Sequence, residues 1–405
     1  MRGVADGMRG VARRLSTITS ATKRGAGLQI EFSCGGGGFY PFLWLRDASP
    51  APAHRLQSGQ RLFETHELPE SAELACELKT TSADAIELQW DDSVAARYPA
   101  SFLREFAPGG AASSQRERYE GRTLWPTPAA LSLEPHDWPA VESGEALLPF
   151  LRDLRRYGVA RLAPLPPERG AVLRAAAAIG HVRTTNYGSV FDVKTVTSGL
   201  ANLAQSGRAL SLHTDNPYRE PCPGIQLLHC LVADPAGGGA TLVADGWAIG
   251  EALRTADPPA FAALSAPRRF RYADVGSNGD APADLVAERP PFSLDPHSGA
   301  ITAVAYNNRS ALPPPVGRDA SGGEAEAAYA AWRALGRLCA DVDGRAAKVR
   351  LAPGHVLVMD NSRVLHGRAP FSGAERHLQG CYVDADGLWS ELAVREAREV
   401  DGAIT

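Results

Sequence analysis

In Leu212-His213-Thr214-Asp215-Asn216 an imidazole and a carboxylate stand two residues apart. On an extended strand, alternate side chains share a face, so this pair can grip one ion. A second imidazole, His366, lies far along the chain in Asp360-Asn361-Ser362-Arg363-Val364-Leu365-His366-Gly367-Arg368. Two histidines and one carboxylate form the facial set that leaves three positions open on Fe(II), as a cosubstrate and O2 require. Ten residues later comes Arg376, whose planar guanidinium suits bidentate binding of the far carboxylate of a dicarboxylate. Thr241, after Gly237-Gly238-Gly239-Ala240, offers a hydroxyl to the same group. Each feature alone has an ordinary reading: a surface or capping histidine, a solvated strand-end arginine, a β-branched strand residue. Their order on one chain favours chemistry.

The elements that must position these residues are mostly strands. Alternation or apolar runs predict strands at Leu28–Phe32, Ala85–Trp90, Gly158–Leu162, Gly224–Val232, Ala240–Val243, Ala300–Tyr306, His355–Met359 and Gln379–Val383. Helical spacing predicts helices at Glu145–Tyr157, Glu168–Ile179, Ala248–Ala256 and Glu324–Asp341. Many strands with few intervening helices indicate a mainly β fold with flanking helices, a sandwich or barrel rather than a doubly wound sheet. Residues 28–107 read as a small N-terminal β domain, 108–135 as a Gly/Ser/Pro-rich linker and 136–405 as the main domain. Asp274–Gly299, rich in Gly, Pro and Asp, reads as a surface insertion.

Composition narrows the function classes. Hydrophobic residues at 44% and charged residues at 22% are ordinary globular values, and no apolar run is long enough to span a bilayer. A net charge of −4 gives no general attraction to nucleic acid or acidic lipid. A small-molecule partner is therefore expected, with neither nucleic acid nor membrane. The six cysteines are scattered without a CxxC pair, so neither a disulfide framework nor a zinc cluster is indicated. Residues 1–27 are basic and Ser/Thr-rich, which fits either a disordered tail on a cytoplasmic protein or a mitochondrial transit peptide.

A more specific resemblance rests on Leu43-Trp44-Leu45-Arg46-Asp47, His213-Thr214-Asp215, Pro223-Gly224-Ile225-Gln226-Leu227-Leu228-His229-Cys230, Leu365-His366-Gly367-Arg368 and Arg376-His377-Leu378. These segments resemble the γ-butyrobetaine hydroxylase family of the taurine dioxygenase-like superfamily. The resemblance implies a double-stranded β-helix (jelly-roll) catalytic domain, a small N-terminal β domain and a homodimer. It implies Fe(II) on His213, Asp215 and His366, and 2-oxoglutarate on Arg376, Thr241 and Leu227. It also implies hydroxylation driven by O2 and 2-oxoglutarate, stimulated by ascorbate. Related halogenases leave the carboxylate position empty for chloride, so Asp215 points to hydroxylation.

The substrate implied is a small quaternary ammonium compound, held in an aromatic cage because it has no N–H to donate. Tyr187, Phe191 and Tyr382 match cage positions, whereas Gln205 and Asn216 stand where two further aromatics are expected. Asn202 and Asn308 resemble the asparagines that meet the anionic end, and Arg309 beside them favours a stronger anion. That places 2-(trimethylammonio)ethylphosphonate slightly ahead of γ-butyrobetaine, with trimethyllysine or a non-catalytic betaine-binding relative as further readings. The family's zinc cysteines are missing: after Asp47 the chain runs Ala48-Ser49-Pro50-Ala51-Pro52-Ala53-His54. No zinc is expected, and His54 reads as a surface histidine.

Overall fold

The computed structural model describes residues 17–75, 79–90, 94–107, 121–194, 206–267, 270–276, 283–296, 298–314, 323–372 and 376–402. The chain divides into two compact units, Met1–Glu120 and Gly121–Thr405.

In the first unit, Ile18–Arg24, Gly27–Phe32 and Gly37–Pro41 form one antiparallel sheet, and Lys79–Ser82, Ala85–Gln89 and Ala95–Pro99 another. Alternation puts Leu28, Ile30, Phe32, Ile86 and Leu88 into a shared core with Trp90, Tyr98 and Leu103. Two expectations change here. The strand Ile18–Arg24 lies inside the stretch assigned to a basic leader; its charges stay exposed while Ile18 is buried, so composition alone conceals it. His54 is buried, not on the surface, and its Nδ1 lies 2.8 Å from Ser49 Oγ. Its ring meets Phe63 edge-on with centroids 6.0 Å apart, so packing and hydrogen bonding hold it in that turn.

The second unit is built on two sheets. Its seven-stranded sheet runs Phe191–Lys194, His377–Val383, Ile225–Val232, Val356–Asp360, Val159–Ala163 and Pro135–Asp137, with Val182–Arg183 paired to the second of these. The four-stranded sheet runs Leu210–His213, Val364–Arg368, Thr241–Asp245 and Ala347–Val349. Period-two alternation sorts the larger sheet's side chains onto two faces. Ile225, Leu227, Val356, Val358, Cys381 and Val383 meet the helices, while Leu228, Cys230, Leu357, Met359 and Leu378 meet the smaller sheet.

Helix Leu147–Tyr157 shows how local sequence builds the helical cover. Leu147, Phe150, Leu151 and Leu154 follow the 3.6-residue period and are buried. The helix ends at Gly158, whose left-handed φ of 73° favours glycine. A Cβ there would lie 2.9 Å from Arg363 Cδ, so the turn into Val159–Ala163 also requires the missing side chain.

Two expected loops are structured. Trp125, in the stretch read as linker, is fully buried between the sheets and donates its indole N–H to Tyr157 O at 2.8 Å. The supposed surface insertion contains the hairpin Arg271–Gly276 with Ala283–Glu288, then Phe292–Leu294 paired to Ile301–Val304. Phe292 is fully buried, so turn residues flank strands here rather than replacing them.

Arg363 and Asp245 pair at 2.7 Å with both side chains wholly buried. Arg363 also donates to the carbonyls of Arg156 and Thr123, and Asp245 caps helix Gly246–Ala256. Removing one partner strands a buried charge. Arg363→Met is therefore expected to cost about 3–5 kcal/mol of unfolding free energy, measured by urea titration.

His229 supplies a pH test. It is fully buried in the central strand, and burial, opposed only in part by a hydrogen bond with the backbone of Leu165, pushes its pKa from 6.5 down to about 4. The unfolded chain thus binds a proton there that the native state refuses, so stability is lost as pH falls from 6.5 toward 4. Between about pH 7 and about pH 5 the wild type should lose on the order of 2 kcal/mol more than His229→Leu, by urea melts. Equal losses would contradict this.

Candidate active site

The centre is assembled by strand register. Leu210–His213 pairs with Val364–Arg368 so that His213 stands directly opposite His366, with ring centroids 4.3 Å apart. The strand ends at His213, so pleating does not place Asp215, contrary to the simple alternate-residue argument. Asn361 places it instead. The Asp215 N–H donates to Asn361 Oδ1 at 2.7 Å, while Asn361 Nδ2 donates to Asp215 O at 2.9 Å and Pro223 O at 3.0 Å. From the other side, Thr214 N–H donates to Tyr306 O at 2.7 Å and Asn307 Nδ2 donates to Thr214 O at 3.1 Å. Asn216 then turns the chain with φ 52°, a left-handed conformation that asparagine tolerates better than most residues.

The donor atoms fit a metal ion. Asp215 Oδ1 lies 3.3 Å from His213 Nε2 and 3.8 Å from His366 Nε2, and the three residues are the one such cluster found among the described residues. The other carboxylate oxygen, Oδ2, accepts from Gln226 Nε2 at 2.6 Å and from Tyr382 OH at 2.7 Å. That leaves Oδ1 to face the imidazoles. His213 Nδ1 lies 2.8 Å from Ser211 O, which fixes the proton on Nδ1 and frees Nε2 as a ligand. Burial, then the neighbouring His213, pushes His366 down to about 3, so its imidazole is neutral and can coordinate. Burial opposes charge on Asp215, but the two histidines and Tyr382 outweigh it and hold the carboxyl below its usual range.

These groups open on a cavity of about 500 Å³. Thr241 and Arg376 line it, both buried. The Arg376 guanidinium sits 5.6 Å from the Phe371 ring centroid and makes no ion pair among the described residues. A buried cation facing a cavity is stabilised by a bound anion, so Arg376 and Thr241 fit one carboxylate of 2-oxoglutarate. Gly239 makes room for this arrangement: its φ is 68°, and a Cβ would lie 2.8 Å from Arg376 Cδ. Arg368 lines the same cavity, held by the carbonyls of Ser206 and Arg208.

An aromatic wall completes it. Phe191 and Tyr382 stack with centroids 5.0 Å apart, and Tyr187 and Tyr218 join them in the cavity lining. Tyr218 was missed from sequence because it lies beyond the positive-φ turn, whose path a linear pattern does not reveal. It donates to Asn216 Oδ1 at 2.6 Å, so the asparagine standing at an expected cage position holds an aromatic supplied from two residues on.

Two expected contacts are not made. Leu227 faces the helices in the core, and its neighbours Gln226 and Leu228 line the cavity instead. Asn308 accepts from Trp332 Nε1 at 2.7 Å and lines a separate groove. Asn307, one residue earlier, reaches the cavity. Arg309 does line the cavity at its exposed rim. Asn202 and Gln205 lie outside the described residues. Gln226, Asn361 and Asp274 were not foreseen as site residues. The sequence near Asn361 did offer a signal, since Asp360-Asn361 belongs to the motif that contains His366.

A facial triad with a guarded carboxylate, at the open end of two β-sheets and beside a buried arginine, defines a non-haem iron oxygenase that uses 2-oxoglutarate. Comparison with known proteins agrees. The chain belongs to the taurine catabolism dioxygenase TauD, TfdA family, whose pattern matches residues 126–382, and residues 19–104 match the γ-butyrobetaine hydroxylase-like N-terminal family. It is 33% identical to the γ-butyrobetaine dioxygenase of Pseudomonas sp. (strain AK-1), over 94% of this chain and 96% of that one. It is 30% identical to the mitochondrial trimethyllysine dioxygenase of Bos taurus, over 86% and 80%. With human γ-butyrobetaine dioxygenase it shares 27% identity, over 90% and 92%. The chain is thus a 2-oxoglutarate-dependent non-haem iron dioxygenase.

Asn361 touches neither metal nor substrate, yet it fixes the backbone of Asp215. Asn361→Ala is expected to weaken Fe(II) binding by roughly 10–100-fold, as outer hydrogen-bond partners of ligands do. The measurement is metal titration of apoprotein, with thermal melting as the folding control.

Proposed function

We propose that this chain hydroxylates a small zwitterion with a trimethylammonium group at one end and an anion at the other. The aromatic wall carries this reading: Tyr187, Phe191, Tyr218 and Tyr382 line one cavity with the iron ligands. A quaternary cation has no N–H to donate and is stabilised by π faces. The names of the γ-butyrobetaine and trimethyllysine relatives support the same chemistry. We also read the seven- and four-stranded sheets as the two halves of a double-stranded β-helix.

When bound, Fe(II) with 2-oxoglutarate and O2 supplies the oxidising power to hydroxylate an unactivated C–H bond. The protein's own part is positional. Arg376 and Thr241 hold the far carboxylate of the cosubstrate, and Gln226 and Tyr382 keep one oxygen of Asp215 turned toward the histidines. The aromatic wall fixes the cationic end of the substrate, and so decides which carbon faces the metal.

At the anionic end, Arg309 is the side chain left for the work. The Asn307 amide is already committed to Thr214 O and Arg309 N–H, whereas the Arg309 guanidinium makes no ion pair among the described residues. A γ-butyrobetaine-type carboxylate is our first reading, since the 33% identical relative spans nearly the whole chain. The phosphonate betaine is the second, favoured by a guanidinium where a doubly charged anion would gain most.

Succinate release with Fe(II), ascorbate and 2-oxoglutarate tests this, with γ-butyrobetaine, 2-(trimethylammonio)ethylphosphonate and trimethyllysine assayed in parallel. Arg309→Ala is expected to raise KM for the preferred substrate by roughly tenfold and to change kcat little, the mark of lost ground-state binding. Silence across all three substrates would sink the reading. An unchanged KM would remove Arg309 from it.

A further inference from the structure

The hairpin read from sequence as a surface insertion brings a carboxylate into the substrate cavity. Asp274, on Arg271–Gly276, is 8% exposed and lines the cavity beside Ala273 and Val275. Its Oδ2 accepts the Tyr187 hydroxyl at 2.8 Å. The Tyr187 and Tyr218 hydroxyls are 3.4 Å apart, and Tyr218 donates onward to Asn216 Oδ1. Two rings of the aromatic wall are thereby joined through their hydroxyls to one acid and to the turn that follows Asp215.

We propose that Asp274 is a specificity-determining residue that selects substrates by their positive charge, a role that rests on the trimethylammonium reading above. An aromatic wall separates a quaternary ammonium from a tert-butyl group through cation–π attraction alone, because both fill nearly the same volume and both bury apolar surface. What separates them is charge. Asp274 is itself largely removed from water, and a carboxylate so placed contributes far more to a cation a few ångströms away than it would in bulk solvent. It also acts through Tyr187: a phenol donating to an anion carries more electron density on its ring face, which strengthens the cation–π contact. Arg309, of opposite charge, lines the same cavity.

Asp274 could instead serve only to prop Tyr187, and the two roles differ in a measurable way. Asn in its place still offers an oxygen to the tyrosine hydroxyl with nearly the same shape, but no charge. The experiment compares γ-butyrobetaine with 5,5-dimethylhexanoate, the isostere that keeps the carboxylate and replaces the trimethylammonium group by a neutral tert-butyl group, by calorimetric binding to protein loaded with metal and 2-oxoglutarate. Asp274→Asn is expected to weaken γ-butyrobetaine by about tenfold and leave the isostere within about twofold. Equal losses for both ligands, or none for either, would overturn the proposal. Tyr187→Phe, which cuts the bond but keeps the carboxylate, is expected to retain a preference for the betaine. Loss of that preference would move discrimination to the tyrosine and also overturn it, which keeps a test available should Asp274→Asn fail to fold. The two readings fail differently. A wild type that binds both ligands equally defeats the trimethylammonium reading itself, whereas a wild type that discriminates and an Asn variant that discriminates just as strongly defeat only the role of Asp274.

Discussion

Asp215 has two carboxylate oxygens and the site depends on their different fates. Gln226 and Tyr382 both donate to Oδ2, at 2.6 and 2.7 Å, which leaves Oδ1 toward His213 and His366. A carboxylate free to rotate would offer either oxygen, or both, and the facial geometry with its open positions would be lost. The donors come from neighbouring strands of the larger sheet, where Gln226 stands in register with Tyr382. The two histidines belong to the smaller sheet. The metal site is therefore a joint between the sheets, and the core packed between them, from Trp125 to Leu378, sets its dimensions.

This joint explains why residues adjacent in sequence take unrelated roles. Along Ile225–Val232 the side chains alternate between the helix face and the cavity face. Gln226 reaches Asp215 while Leu227 packs against the helices. Along His377–Val383, Tyr382 meets the cavity while Cys381 and Val383 fill the core behind it. Tyr382 does two things at once, since its hydroxyl holds Asp215 while its ring stacks on Phe191 and lines the cavity. Metal geometry and substrate wall thus share a side chain.

Much of this was legible in the sequence where the signal was local. Strands of the larger sheet such as Ile225–Val232 and Val356–Asp360 follow from apolar runs, whereas Leu210–His213 and Val364–Arg368, which carry the two histidines, are too short to stand out; the triad follows from residue type and order, together with an arginine ten residues after His366. Where tertiary placement decided, the linear reading slipped. Asn308 turns toward Trp332 while Asn307 reaches the cavity; the strand ends at Val304, and in the loop beyond it parity no longer tells which of two asparagines faces inward. Leu227 was carried over with its motif although its parity sends it to the opposite face. The hairpin that carries Asp274 was hidden by Gly, Pro and Asp residues, which mark turns equally well inside a structured hairpin and in a loose insertion. Ile18–Arg24 was masked by its charges, because a strand with one buried side chain has too little apolar pattern to be seen.

The turn after Asp215 shows how a position-by-position reading can misplace a ring. Read position by position, Asn216 is a missing aromatic. In the folded chain, its left-handed backbone and its side-chain oxygen hold Tyr218 in the cavity wall instead. The same turn is braced from the metal side by Asn361 and Thr214, so the loop that presents a metal ligand also presents a ring to the substrate. Moving an aromatic by two residues changes the direction from which it faces the cavity while keeping its π surface in the wall. It also brings the Tyr218 hydroxyl near that of Tyr187, and so ties the wall to a carboxylate. Asn216 thus shifts a ring within the cavity wall rather than removing one, and ties that wall to the loop that orients Asp215.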